Sequence, residues 1–175
     1  EGRLVATALA DEGLCTLLRR PENGGKGTAV KEGLAWAKEH GFDLALQIDA
    51  DLQHDVRDIP ALVVAAKGNP NAFVIAQPVF DSSAPRSRLI ARKVSKFWGA
   101  IETMSLRVGD PLCGFRIYPV KLATEVRTHG DAMDFDPEIA VRLIWAGADV
   151  AHVPTNVKYI PRSEGGVSHF RNVED

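Results

Sequence analysis

Asp49 and Asp51 stand one residue apart at the end of an apolar run, and Asp55 follows in the same stretch, DLALQIDADLQHD. Carboxylates are hard oxygen ligands, and Mg²⁺ or Mn²⁺ commonly takes one or two of them together with phosphate oxygens and water. Side chains at i and i+2 share a face of a strand, so a bend at the strand's end turns Asp49 and Asp51 toward a common point. The pair is a candidate clamp for a metal-bound diphosphate. The competing reading is a solvated acidic turn in which Asp55 or Asp58 caps the next helix.

A second candidate precedes it. In NGGKGTAVKEG, glycines before a helix allow close backbone approach, and Lys26 carries the charge that neutralises a phosphate. The stretch departs from both common phosphate-loop patterns. Gly27 follows the lysine where Ser or Thr is required, and Val30 stands where a dinucleotide loop needs its last small residue. A tight turn between strand and helix is the competing reading.

The surrounding pattern tells what must hold these groups. Leu4, Val5 and Leu9 predict a helix over residues 1–12, and CTLLRR a strand after Gly13. Val30, Leu34, Trp36 and Ala37 predict a helix over 28–40 that Gly41 closes. DLALQI and NAFVIAQ read as strands with a helix over 57–67 between them. After the loop PVFDSSAPRSR, a longer helix places Ile90, Val94, Phe97, Trp98, Ile101 and Met104 on one face and Arg88, Arg92 and Lys96 on another. CGFRIYP reads as a strand or edge segment ended by Pro119, FDPEIAVRLIWAG as a helix, ADVAHVP as a last strand, and the tail PRSEGGVSHFRNVED as a loop. The alternation predicts an α/β fold, a mostly parallel central sheet flanked by helices on both faces, with ligands beyond the carboxyl ends of the strands.

Composition bounds the rest. The 175 residues, 45% of them hydrophobic, suit one core, and a net charge of -2 gives no general attraction to nucleic acid. Cys15 and Cys113 form no C-x-x-C, which argues against a disulfide framework and fits a reducing compartment. No apolar run approaches the roughly 20 residues of a membrane span. Starting at Glu1 without Met and ending at Asp175, the chain is expected to be part of a longer protein, with residues 1–175 forming a single partial domain.

PENGGKGTAVKEGL, QIDADLQHD, DPLCGFRIYP and FDPEIAVRLIWAG together resemble, in that order, signatures of family 2 glycosyltransferases of the GT-A fold. The nearest branch is the polyprenyl-phosphate (dolichol-phosphate) sugar transferases. The resemblance runs from about Arg20 to Ser168, without the family's first strand and the acidic loop after it that hold the nucleotide base. It implies a UDP- or GDP-type nucleotide-sugar donor and an inverting, metal-assisted displacement. Asp49, Asp51 and Gln53 would surround a divalent Mg or Mn ion. Lys26, Asp49, Asp51, Arg116, Arg162 and Ser168 would hold the donor diphosphate, the last two in a loop with Ser163 and His169. A lone histidine such as His169 reads equally as a surface residue.

Asp136 matches the family's acidic base, followed by Glu138, although an aspartate before Pro-Glu also suits a helix N-cap. The implied acceptor is a lipid phosphate or a carbohydrate, with peripheral contact at the cytoplasmic face of a membrane. Arg86, Arg88 and Arg92 are candidates to meet either a lipid phosphate or the donor diphosphate; for Arg92 and Lys96 a solvated helix face is the simpler reading. Two other functional classes share a sheet with acidic metal ligands. One is a sugar-nucleotidyltransferase and the other a non-catalytic α/β domain that binds a metal or a partner.

Overall fold

The computed structural model describes residues 2–80, 94, 97–101, 103–104 and 106–157. The chain enters through α1 (Gly2–Asp11), then α2 (Gly25–Glu39), β1 (Leu44–Gln47), a 3-10 turn (Val56–Asp58), α3 (Ile59–Ala66) and β2 (Ala72–Phe80). After helical residues at 97–101 come a second 3-10 turn (Leu106–Val108), β3 (Arg116–Pro119), α4 (Val120–Glu125), α5 (Phe135–Trp145) and β4 (Asp149–Val157).

The described strands form one sheet in the order β1-β3-β2-β4. β3 runs antiparallel to both β1 and β2, and β2 runs parallel to β4. β1, β2 and β4 therefore point the same way and β3 alone opposes them, which gives a mixed sheet of the α/β class that the alternation predicts. CGFRIYP supplies an interior strand and not an edge: all four residues of β3 are buried. Pro119 is accommodated because it is the strand's last residue, where a missing N–H costs no interior ladder bond. Among the described residues β4 has a ladder with β2 alone, besides an isolated bridge between Val157 and His54, and Pro154 lies apart from that bridge, where sheets tolerate proline.

One expected strand is absent. CTLLRR is irregular in structure and has no ladder partner among the described residues, and Leu17 and Leu18 are largely exposed. Its alternating apolar pattern favours an extended chain, but a strand also needs a neighbour, and among the described residues β1 pairs only with β3.

The core is built where the strands cross the helices. Phe73, Val74 and Ile75 of β2, Ile117 and Tyr118 of β3, Leu62 of α3, and Phe135, Ile139 and Leu143 of α5 are buried with Phe115. These side chains follow helix and strand periodicities, so burying them fixes how α5 and β3 sit relative to β1. That arrangement brings the carboxyl end of β1 near the starts of α2 and α5.

Candidate functional site

Lys26 sits in the first turn of α2, Asp49 just beyond β1, and Asp136 in the first turn of α5. The Lys26 ammonium lies 2.8 Å from Asp49 Oδ2 and 2.8 Å from Asp136 Oδ2. Three separate elements thus meet on one cation. Asp136 is buried, its side chain 2% exposed against 33% for Asp49. Its contact with Lys26 is an ion pair rather than an aligned hydrogen bond, and Oδ1 has no hydrogen-bond partner among the described residues. Burial alone lowers the Lys26 pKa; Asp136 and Asp49 outweigh it and hold the ammonium above its usual value.

Backbone packs closely against this cluster. A Cβ on Gly114 would stand 2.5 Å from both Asp49 Oδ2 and Lys26 Nζ, so only glycine leaves the pair intact. The glycines of NGGKG have a similar purpose. A Cβ on Gly25 would lie 2.3 Å from the Asp131 carbonyl oxygen, and one on Gly27 2.5 Å from Phe135 Cβ. Their close approach is to the loop before α5 and to α5 itself. Thr28 adds a backbone bond to the Asp131 carbonyl and a hydroxyl bond to its carboxylate. The loop at 130–132 thereby covers the start of α2 and delivers Lys26 inward.

Asp51 and Gln53 lie in the turn after β1. The Gln53 backbone N–H donates to Asp51 Oδ1 at 3.1 Å, and Leu52 between them takes φ +61°, an uncommon conformation for a residue with a branched side chain. The strained turn holds Asp51 beside the acidic end of the strand. Asp55 does what the capping alternative requires: it is the N-cap of Val56–Asp58, accepts from the Arg57 backbone, and pairs with the Arg57 guanidinium.

The remaining expectations divide. Arg116 is fully buried, and its guanidinium donates to the carbonyls of Cys113, Pro111 and Asp136. The structure places Arg116 behind the cluster, where it ties the loop before β3 to the first turn of α5. The N-cap position of α5 belongs to Asp134, so Asp136 is no cap. Arg86, Arg88, Arg92, Lys96, Arg162, Ser163, Ser168 and His169 lie outside the described residues.

Glu138 has a role its sequence context did not disclose. Oε2 accepts from the backbone N–H groups of His129 and Gly130, and Oε1 from Arg142, which anchors the loop covering α2. Burial pushes the Glu138 carboxyl up, and these donors more than offset it, leaving the pKa below the usual value.

Among the described residues no group of three or more His, Cys, Asp or Glu side chains could enclose a metal ion. Two carboxylates at a strand end nevertheless suit Mg²⁺ or Mn²⁺, which take most of their ligands from phosphate and water. The chemistry of Asp49 and Asp51 fits such an ion as partial ligands, and a diphosphate and water would supply the rest.

The model of Glycosyl transferase family 2 matches residues 3–122. No curated protein matches the chain. Among solved structures it resembles glucosyl-3-phosphoglycerate synthase from Mycobacterium tuberculosis in complex with Mn²⁺ and UDP-glucose. The TM-score is 0.59 and the identity 19%, with 84% of this chain and 51% of that chain covered. The same synthase in complex with phosphoglyceric acid gives a TM-score of 0.58 at 18% identity, covering 92% and 59%. The chain thus spans between half and three fifths of the length of these structures. They carry the fold, a GT-A-type α/β sheet, while the match over more than half the sequence carries the family: the chain belongs to glycosyltransferase family 2.

Proposed function

We propose that this protein transfers a sugar from a nucleoside-diphosphate donor of UDP or GDP type to a phosphate-bearing or hydroxyl acceptor, by metal-assisted inverting displacement. The observation that carries the proposal is the meeting of Lys26, Asp49 and Asp136 at the carboxyl end of β1, with Asp51 in the adjoining turn. Ligands of open α/β sheets bind beyond that end of the strands.

Asp49 and Asp51, with Gln53 nearby, would hold a divalent ion, which when bound would supply Lewis acidity to the departing nucleoside diphosphate. Lys26 supplies a cation to the same diphosphate, with Arg162 and Ser168 contributing from the tail. Arg116 sets the position of the Asp136 backbone. Asp136 takes the proton of a hydroxyl acceptor; a buried carboxylate oxygen without a hydrogen-bond partner suits that role. A phosphate acceptor is already ionised and needs no base.

For the acceptor, the solved relative binds phosphoglyceric acid, and the sequence motifs favour a lipid phosphate. The lipid reading has one structural support. Val94, Phe97, Trp98, Ile101 and Met104 are all substantially exposed, and the same stretch of sequence carries Arg86, Arg88, Arg92 and Lys96. Exposed apolar and aromatic side chains in a stretch of sequence rich in basic residues suit the surface of an anionic bilayer. Among the described residues no helix is long and apolar enough to cross a membrane.

Incubating the full-length protein with UDP- and GDP-sugars, Mn²⁺, and lipid-phosphate or small phosphorylated acceptors tests the proposal. Release of nucleoside diphosphate with a glycosylated acceptor supports it. Pyrophosphate release indicates nucleotidyl transfer, and neither product indicates a binding domain.

A further inference from the structure

Lys26 has two carboxylate partners, each at 2.8 Å, and one of them is an aspartate that the proposed function assigns to a metal. An oxygen already in contact with an ammonium is a poor site for a dication, because the incoming ion must displace the lysine or share the oxygen against like-charge repulsion. The surroundings allow little sharing. The Lys26 side chain is 19% exposed, and the Gly114 backbone packs so closely that a Cβ there would fall 2.5 Å from Lys26 Nζ and from Asp49 Oδ2. Resting on the donor reading above, we propose that Lys26 is an internal counter-cation that guards the acidic site. It holds Asp49 and Asp136 together while no diphosphate is bound, and it releases Asp49 to a divalent ion only when a diphosphate draws the ammonium away.

Charge balance favours this order. The ammonium bridges two carboxylates, so a dication arriving alone competes with a preformed pair, whereas a diphosphate arriving with it brings negative charge that attracts Lys26 from Asp49. Metal and nucleotide then bind with positive coupling, and by linkage each raises the other's affinity by the same factor. Lys26 is a positioning residue in this account: it sets which cation Asp49 meets, and when.

The test uses the full chain and reads Mn²⁺ binding directly, by electron paramagnetic resonance of free Mn²⁺ and by calorimetry. Titrations are made with Mn²⁺ alone and with Mn²⁺ plus UDP or GDP. For the wild type, nucleotide should tighten Mn²⁺ binding by at least about tenfold, within the usual range of coupling between sites. Lys26→Gln removes the competing charge. It should bind Mn²⁺ alone at least about tenfold tighter than the wild type and lose most of the nucleotide effect. Lys26→Arg keeps a cation and should leave Mn²⁺ binding weak, an outcome that loss of structure in general would not separate from Lys26→Gln. Unchanged or weaker Mn²⁺ affinity in folded Lys26→Gln overturns the proposal. Equal wild-type Mn²⁺ affinity with and without a nucleotide that the protein is shown to bind overturns it too, and that comparison requires no variant. If neither UDP nor GDP binds, the donor reading fails by itself, and tighter binding of Mn²⁺ alone by Lys26→Gln still supports the guard.

Discussion

Replacing Arg116 with methionine removes a buried cation that three backbone carbonyls share. Nε lies 2.7 Å from the Cys113 carbonyl oxygen, and the terminal nitrogens reach the Asp136 and Pro111 carbonyls at 2.9 and 3.0 Å. Methionine fills much of the aliphatic volume but donates no hydrogen bond. Leaving a buried acceptor unpaired costs about 1–3 kcal/mol, so three carbonyls set an upper bound of roughly 9 kcal/mol. Relief from burying a guanidinium, worth several kcal/mol per ion, and relaxation of the loop toward water bring the net loss to about 3–5 kcal/mol. That is a large part of the roughly 5–15 kcal/mol that holds a domain folded. Urea unfolding followed by tryptophan fluorescence measures it. With a slope near 2 kcal/mol per molar urea, the midpoint should fall by about 2 M. Arg116→Lys, which keeps the charge and loses the planar fork, should fall between the two. A midpoint shift below about 0.5 M for Arg116→Met would refute the scaffold role.

Three further outcomes follow from the same contacts. Gly27→Ala drives a Cβ to 2.5 Å from Phe135 Cβ and 2.9 Å from the Asp131 carbonyl carbon, and should cost about 1–3 kcal/mol in the same urea assay. Glu138→Gln should be less stable than wild type at neutral pH. Because the folded Glu138 pKa lies below its unfolded value, the carboxylate stabilises fully above the ordinary glutamate range, and the gap should close as pH falls through the folded pKa; a gap independent of pH would contradict this. Asp136→Asn in the complete enzyme should lower kcat with a hydroxyl acceptor by at least about a hundredfold and have a much smaller effect with a phosphate acceptor, whereas full turnover on the hydroxyl acceptor would remove the base assignment.

Strand and helix patterning in the sequence is strong for α3, β2, β3 and α5, whose apolar positions close on one another in the core, whereas Phe97, Trp98 and Ile101 stay exposed. CTLLRR has the same local pattern and no ladder partner among the described residues, so periodicity alone could not decide it. The acidic pair and Lys26 were visible as residue types. Their contact was not, since residues 26, 49 and 136 meet only after α2, β1 and α5 have packed. The carbonyl partners of Arg116 were hidden for a related reason. A guanidinium binds carbonyls as readily as phosphates, and only its complete burial distinguishes the two. The glycines of NGGKG belong to the same class of ambiguity: they serve a close approach, but the partner is the chain's own loop at 130–132 and Phe135. Glu138 gave a weaker signal still, because both backbone donors it holds precede α5 in a loop without a regular pattern.

Calorimetry of a UDP- or GDP-sugar binding to the full-length protein, with and without Mn²⁺, compared between wild type and Asp51→Ala, tests the central claim most directly. Asp51 sits in a turn outside the hydrophobic core, so its loss should leave the melting temperature nearly unchanged. The account predicts saturable, Mn²⁺-dependent donor binding by the wild type and none by the variant. Equal donor affinity in the two proteins would contradict a metal-bridged diphosphate site at the end of β1.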